Sequence, residues 1–169
     1  AKTAEIHLRE QMEIARRDAA YLESVLEEIR QAETEQDFLD IRSELREGGF
    51  LKKSGKKEPR LAAGPRKFRT TSGYSVLVGR NNRQNDRLTL KEADYRDIWL
   101  HTQKIHGSHV ILRTGGQAVD DDTLAEAAQI AAYYSQARDS GKVPVDYTAV
   151  KNVKKPAGAR PGMVIYQTY

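Results

Sequence analysis

A long segment without glycine or proline, from Thr3 to Glu33, opens the chain and limits what it can fold into. Alanine, glutamate, arginine, glutamine and leucine dominate it, and all are good helix formers. Its larger apolar residues recur at helical spacing, at Ile6, Ile14, Leu22, Val25, Leu26 and Ile29. Because one helix cannot bury such a stripe by itself, the pattern predicts one strand of a coiled coil, paired with another segment or with a second copy.

A second helix is predicted directly after the first. Thr34 and Asp37 have the spacing of a capping box, which begins a helix. Gly48-Gly49 is a usual signal for its end. Residues 1–48 are therefore interpreted as a helical coiled-coil arm and its base. Since the sequence enters a helix at once, we also expect it to be the C-terminal part of a longer protein.

Residues 49–66 are rich in lysine, glycine and proline. This composition is typical of a solvated tether, so we predict a basic linker rather than a dedicated binding segment.

From Lys67 onward the pattern changes to short β-type runs separated by turns. The predicted elements are a hairpin of Phe68–Thr70 and Tyr74–Val78, a loop or single helical turn at 81–87, a short helix capped by Thr89, a hairpin of Asp97–Thr102 and His109–Leu112, a helix from Asp120 to near Gly141, and closing strands at Val145–Val153 and Met163–Tyr169. Residues 67–169 therefore predict an α+β domain, with a mostly antiparallel sheet and one major packed helix.

Charge is divided unevenly along the chain. Residues 1–47 contain 7 Lys/Arg and 13 Asp/Glu, whereas residues 48–169 contain 21 and 11, which gives net charges of −6 and +10. Only the second part has the charge of a polyanion binder. Cysteine is absent, which excludes disulfides and thiolate chemistry. No apolar run approaches the roughly 18 residues of a membrane span, so we expect no membrane partner. The absence of cysteine fits a reducing cytosol, and we expect a cytoplasmic location.

Three of the four histidines lie close to the only tryptophan, at His101, His106, His109 and Trp99. Their spacing matches none of the common zinc motifs. Asp97 and His101 could form an acid/base pair on one strand face, but no recognisable nucleophile accompanies them. We therefore predict no metal, no cofactor and no catalysis, with the histidines hydrogen-bonding locally. Trp99 remains open to two interpretations, as core residue or as a stacking platform for unpaired bases.

The run Arg80-Asn81-Asn82-Arg83-Gln84-Asn85-Asp86 is the strongest candidate for a site. Arginine and amide side chains are common donors to phosphates and base edges, although amides also cap local turns. A second basic segment runs from Lys151 to Arg160. The predicted nucleic-acid-binding residues are Arg80, Asn81, Asn82, Arg83, Gln84, Asn85, Trp99, His101, His109, Lys151, Lys154, Lys155 and Arg160.

Three blocks of the sequence carry a family resemblance: GRNNRQND, DIWLHTQKIHGSHVIL and AAYYSQARDSGKVPVDYTAVKNVKKPAGARPGMVIY. Together, over about residues 60–169, they resemble the C-terminal NFACT-R domain of RqcH-type proteins, a bacterial family also known as FbpA-like fibronectin-binding proteins. The positions that match the family's motif are Gly79 to Asn82, Gln84 to Asp86, Asp97, Trp99, His101 and Gly107 to His109. The helices of residues 3–47 resemble the returning arm of the coiled coil that precedes NFACT-R.

The resemblance implies a non-catalytic, RNA-binding role in ribosome-associated quality control. Its full-length members bind large ribosomal subunits that carry a stalled peptidyl-tRNA, recruit alanyl-tRNA and support the addition of C-terminal alanine tails. The family's tRNA-selecting residues lie largely in an N-terminal domain that this sequence does not match. The resemblance also implies an alternative, a surface adhesin of Gram-positive cocci that binds fibronectin after non-classical export.

Overall fold

The computed structural model describes residues 2–53, 55 and 63–167. Two helices come first, α1 (Lys2–Gln31) and α2 (Glu35–Glu47). The Thr34 side chain accepts a hydrogen bond from the Asp37 backbone, and the Asp37 side chain accepts one from the Thr34 backbone. The predicted capping box is therefore confirmed. α2 ends at Gly48, as predicted, and Gly49 follows with a positive φ of 82°.

A five-stranded antiparallel sheet forms the second part of the chain. Its strands are β1 (Arg66–Arg69), β2 (Ser75–Val78), β3 (Ile98–Thr102), β4 (Val110–Leu112) and β5 (Val145–Ala149), in the order β1-β2-β4-β3-β5. The remaining elements are α3 (Asn82–Arg87), a π-helical turn (Leu88–Glu92), α4 (Asp121–Tyr133), a 3-10 turn (Val150–Asn152) and a two-stranded sheet of β6 (Val153–Lys154) and β7 (Ile165–Tyr166). The predicted α+β class and both predicted hairpins are confirmed.

Three predicted elements differ from the structure for local reasons. α4 ends at Tyr133 instead of near Gly141, because the backbone carbonyl of Tyr134 accepts from Ser108 and Ser135 forms a β-bridge with Gly107. Thr89 does not cap a helix, since its hydroxyl lies 2.8 Å from Nδ1 of His109. The closing strands are shorter than predicted. Only Ile165–Tyr166 of the last one pairs, and it pairs with β6; residues 168–169 lie outside the described part.

Alternate strand residues build a core on each face of the main sheet. One face packs against α4 through Val76, Val78, Leu100, Val110, Leu112, Ala127, Ala131 and Tyr134. The other face carries Leu77, Trp99 and Ile111, which pack against Leu88, Val150 and Val153. The π-helical turn and the segment from β5 to β6 are therefore held on the face opposite α4.

A third cluster joins the helical arm to the sheet domain. Tyr21, Val25 and Ile41 are buried between α1 and α2, and Phe50 and Met163 pack against them. Arg66 is buried at the start of β1 and donates to the backbone carbonyl of Gln31. Phe50 and Arg66, near the two ends of the predicted linker, are thus packed, whereas residues 51–53, 55 and 64 are exposed as the tether prediction expects. Positions 54 and 56–62 of that segment lie outside the described residues.

The first half of α1 leaves its apolar side chains exposed, at Ile6, Leu8, Met12 and Ile14. No other described residue covers them, so the coiled-coil partner stays a prediction. Within the described residues, no helix is both long enough and apolar enough to span a bilayer.

Candidate nucleic-acid interface

The predicted recognition loop is a short helix that docks onto the arm. Asn81 caps α3, its Oδ1 accepting from the Gln84 backbone at 2.8 Å. Asn82 and Asn85 are only 3% and 1% exposed. Asn82 donates to the Ser24 hydroxyl at 2.9 Å, and Asn85 donates to Oε1 of Glu28 at 3.2 Å. These two amides therefore hold α3 against α1.

Gln84 and Arg80 hold the segment that leads into β1. The Gln84 amide donates to the carbonyl of Ala63 at 2.8 Å and accepts from the Arg80 backbone at 2.7 Å. The Arg80 guanidinium donates to the carbonyl of Gly64 at 2.9 Å. Their polar groups are therefore engaged within the chain.

Four predicted phosphate-binding cations are paired with acids. Arg80 lies 3.4 Å from Asp37, Arg83 lies 2.8 Å from Glu47, and Arg160 lies 2.9 Å from Asp18. Lys155 lies 2.9 Å from Asp86, which also accepts from the backbone of Gly162. The 80–86 segment and the 151–160 loop are therefore in contact. A single polyanion that binds both segments would require this contact. The charges of Arg80, Arg83, Arg160 and Lys155 are offset by these acids, three of which belong to the arm.

The Trp99 region is a buried aromatic cluster. Trp99 is 0% exposed and stacks in parallel on His101, with the ring centroids 5.5 Å apart. The ring nitrogens of His101 lie 2.7 Å from the Thr102 carbonyl and 3.2 Å from the Gly107 carbonyl, which confirms the predicted local hydrogen bonding. Trp99 is thus a core residue. The described residues contain no group of three or more side chains able to hold a metal ion.

His109 is held as a neutral imidazole. Its Nδ1 lies 2.8 Å from the Thr89 hydroxyl and its Nε2 lies 3.1 Å from the Gly162 carbonyl. Because the carbonyl can only accept, the proton belongs on Nε2 and the Thr89 hydroxyl donates to Nδ1. Burial, with a smaller contribution from the nearby His101, lowers the pKa of His109 to about 3.

Two buried carboxyl groups lie where the arm meets α3. Glu44 accepts from the Tyr21 hydroxyl and, at 2.7 Å, from the Arg83 backbone. Glu28 is buried as well, and this burial, followed by the charge of Glu44, raises its pKa well above the usual range. Burial also raises the pKa of Glu44. The junction is therefore built from hydrogen-bonded polar groups as well as from the Tyr21 cluster.

A different surface of the domain carries unpaired cations. Lys151 and Lys154 are exposed, and they follow β5 on elements that pack against the π-helical turn. Arg87 and Lys91, at the start and within that turn, are exposed too. None of the four forms an ion pair with any described residue.

An exposed tyrosine lies beside one of these cations. Tyr95 is 62% exposed, and its backbone carbonyl accepts from the Lys151 backbone at 3.1 Å. We call Arg87, Lys91, Tyr95, Lys151 and Lys154 the basic surface. Cations beside an exposed ring suit phosphate contact and base stacking. Arg87 and Lys91 were absent from the predicted set, because no local sequence signal brings them to residues 151–154.

Comparison with known proteins agrees with this architecture. The family model described as the NFACT protein RNA binding domain matches residues 65–167, and that of the NFACT N-terminal and middle domains matches residues 1–62. The Rqc2 homolog RqcH of Bacillus subtilis is 42% identical over 172 residues, which covers 99% of this chain and 30% of that protein. Coiled-coil domain-containing protein 25 of Bos taurus is 30% identical over 99 residues, or 56% of this chain and 47% of that protein.

A solved structure has the same fold. It is the C-terminal part of the fibronectin/fibrinogen-binding protein from Streptococcus suis, with a TM-score of 0.91 and 38% identity, over 98% of this chain and 66% of that one. The chain spans about a third of the length of the RqcH proteins it matches. The chain belongs to the NFACT protein family, with that family's RNA binding domain at residues 65–167.

Proposed function

We propose that the chain is an RNA-binding module of a ribosome-associated quality control factor. In this role it contacts the large ribosomal subunit and tRNA, supports C-terminal alanine tailing by the whole protein, and works in the cytoplasm. The module contributes binding and no catalytic group of its own. Similarity to RqcH proteins over nearly the whole chain supports this role.

The observation that carries the proposal is the basic surface. The arm's acids engage Arg80, Arg83 and Arg160, so these cations are not free for phosphates while the arm is docked. Lys151 and Lys154 are exposed and unpaired among the described residues. Part of the domain's positive charge therefore reaches solvent at this surface, where it attracts the phosphate backbone.

Reversing the charge of Lys151 and Lys154 together is expected to weaken binding to tRNA and to 50S subunits at least tenfold near 0.1 M salt. Each lost phosphate contact reduces the slope of log affinity against log salt by about 1, so the double variant should lose about 2. Filter binding and subunit pelleting across a salt series measure both quantities.

The matched control reverses Lys67 and Lys142, which are also exposed but lie outside the basic surface. It makes the same change in net charge, so equal losses in both variants would show that only overall charge matters. Salt-independent affinity for tRNA and subunits would exclude phosphate recognition altogether.

A second candidate function, fibronectin binding, is favoured by one observation, the name of the Streptococcus suis protein whose fragment shares this fold. Surface plasmon resonance with immobilised fibronectin tests it. Specific recognition predicts binding that survives 0.3 M salt and the Lys151/Lys154 reversal. Binding that modest salt abolishes would reflect charge alone.

A further inference from the structure

A cleft of about 250 Å³ opens beside the Trp99 cluster and is not used by the basic surface. The turn between β3 and β4 lines it, together with Ser24 of α1, Asn82 of α3 and the segment that enters β7. Its volume lies just below the roughly 300–1,000 Å³ of pockets for drug-sized ligands. The cleft therefore suits one flat ring system.

The floor of the cleft is aromatic. Trp99 and His101 both line it with their rings stacked in parallel, and His101 is still partly exposed. Tyr166 lies 4.5 Å from the Trp99 ring and lines the same cleft. Burial lowers the pKa of His101. A planar ring backed by an indole is a suitable surface for stacking an unpaired base.

The rim of the cleft carries a cation on a strained backbone. Lys104 is exposed and has a φ of 59°, and no other residue except glycine has a positive φ in the described part of the chain. A lysine in the left-handed region costs of order 1 kcal/mol, and such strain is concentrated at functional sites. His106, on the same turn, lies 3.3 Å from Glu23 of α1 and is partly exposed.

A second unusual feature of the cleft is a buried hydrogen-bond donor without a described partner. The indole Nε1 of Trp99 is buried and has no hydrogen-bond partner among the described residues. Buried donors are satisfied in the great majority of cases, and exceptions call for an explanation such as a water or a ligand. Strain at the rim and an unpaired donor beneath the floor thus occur at one cleft.

We propose that this cleft binds a single unpaired nucleobase of RNA, stacked on His101 with Tyr166 beside it, and with the adjoining phosphate near Lys104. The inference rests on the proposed RNA-binding function and adds a second contact to it. A base must leave its stack to enter, so single strands, loops and ends are ligands and a blunt duplex is not. Stacking accepts every base because each has a π-face, so any base preference is modest.

Trp99 is the only tryptophan of the chain, so its fluorescence reports directly on the cleft. Titration with each nucleoside 5′-monophosphate and with a single-stranded oligoribonucleotide is expected to quench the emission in a saturable way. Ribose 5-phosphate and a blunt RNA duplex, at equal phosphate concentration, are expected to leave it unchanged.

Lys104→Asn removes the charge and keeps a residue that tolerates the left-handed conformation. It should raise the dissociation constant for the single strand five- to tenfold with an unchanged melting temperature. Lys142→Asn, a change of the same kind on an exposed lysine that does not line the cleft, should leave that constant as in the wild type.

The outcomes separate the two proposals. If RNA binds with a steep salt dependence while every titration leaves Trp99 emission unchanged, the cleft proposal is wrong and the proposed function stands. Equal binding by the duplex and the single strand, or full affinity in Lys104→Asn, would also overturn it. If monophosphates quench Trp99 but tRNA and subunits do not bind, the cleft is a nucleotide site and the proposed function fails.

Discussion

Replacing Trp99 by alanine is expected to lower the free energy of unfolding by about 3–5 kcal/mol, the usual cost of deleting a large buried ring. The side chain is 0% exposed and packs with Leu77, Leu88 and Ile111 on the face of the sheet opposite α4. It also supports the rings of His101 and Tyr166, which would border the resulting cavity. Urea unfolding followed by circular dichroism measures the loss.

Trp99→Phe is the matched control, because it keeps an aromatic ring in the core and removes the indole N–H. That N–H has no partner among the described residues, so its removal breaks no hydrogen bond seen there. The phenylalanine variant should therefore lose less than half as much stability as the alanine variant. If alanine costs under 1 kcal/mol yet abolishes RNA binding, Trp99 is a stacking residue and not part of the core.

Helices and strands whose ends are determined by residues close in sequence could be predicted from the sequence. The Thr34–Asp37 capping box lies within four residues, and it predicted the start of α2. The turn at Thr71–Gly73 likewise predicted the β1–β2 hairpin, in which Gly73 has a positive φ of 94°. α4 was predicted too long because its end depends on Ser108, which lies more than twenty residues before it in the chain.

The role of the 80–86 segment could not be predicted, because polarity alone does not distinguish exposure from a buried hydrogen bond. Asn82 and Asn85 find their partners on α1, 58 and 57 residues away. Buried amides are stable only where such partners exist, and no local pattern reveals them. One signal was present in the sequence. Residues 1–47 have a net charge of −6 and residues 48–169 one of +10, and Asp18, Asp37 and Glu47 of the first part form ion pairs with arginines of the second.

Nucleic-acid binding at Lys151 and Lys154 stays a prediction. The structure adds that further cations lie near these two lysines. Their neighbours Arg87 and Lys91 lie some sixty residues before them, and the Leu88–Val150–Val153 cluster brings the two segments together. The apolar core thus determines which cations share a surface. Composition could indicate a polyanion binder, whereas only packing could locate it.

Acid is expected to destabilise the domain through His109 in the pH range between 6.5 and about 3. Burial lowers the pKa of His109 from its ordinary 6.5 to about 3. Between these two pH values the His109 imidazole is protonated in the unfolded chain and neutral in the folded chain. The free energy of unfolding should then fall by about 1.4 kcal/mol for each pH unit, and this contribution is fully present above pH 6.5 and absent below about 3. Urea midpoints measured between pH 3.5 and 8 give the slope.

Glu28 acts in the opposite direction, so the wild-type slope alone is not diagnostic. Its raised pKa means that the folded state binds the proton more tightly, and this carboxyl therefore adds stability as the pH falls. His109→Gln provides the separation, because the amide keeps a donor for the Gly162 carbonyl and does not titrate. Subtracting the variant's free energy of unfolding from that of the wild type cancels the pH-dependent contributions of groups that both proteins contain, including Glu28. That difference should shrink as the pH falls from 6.5, and a constant difference would mean that His109 is charged or exposed in the folded protein.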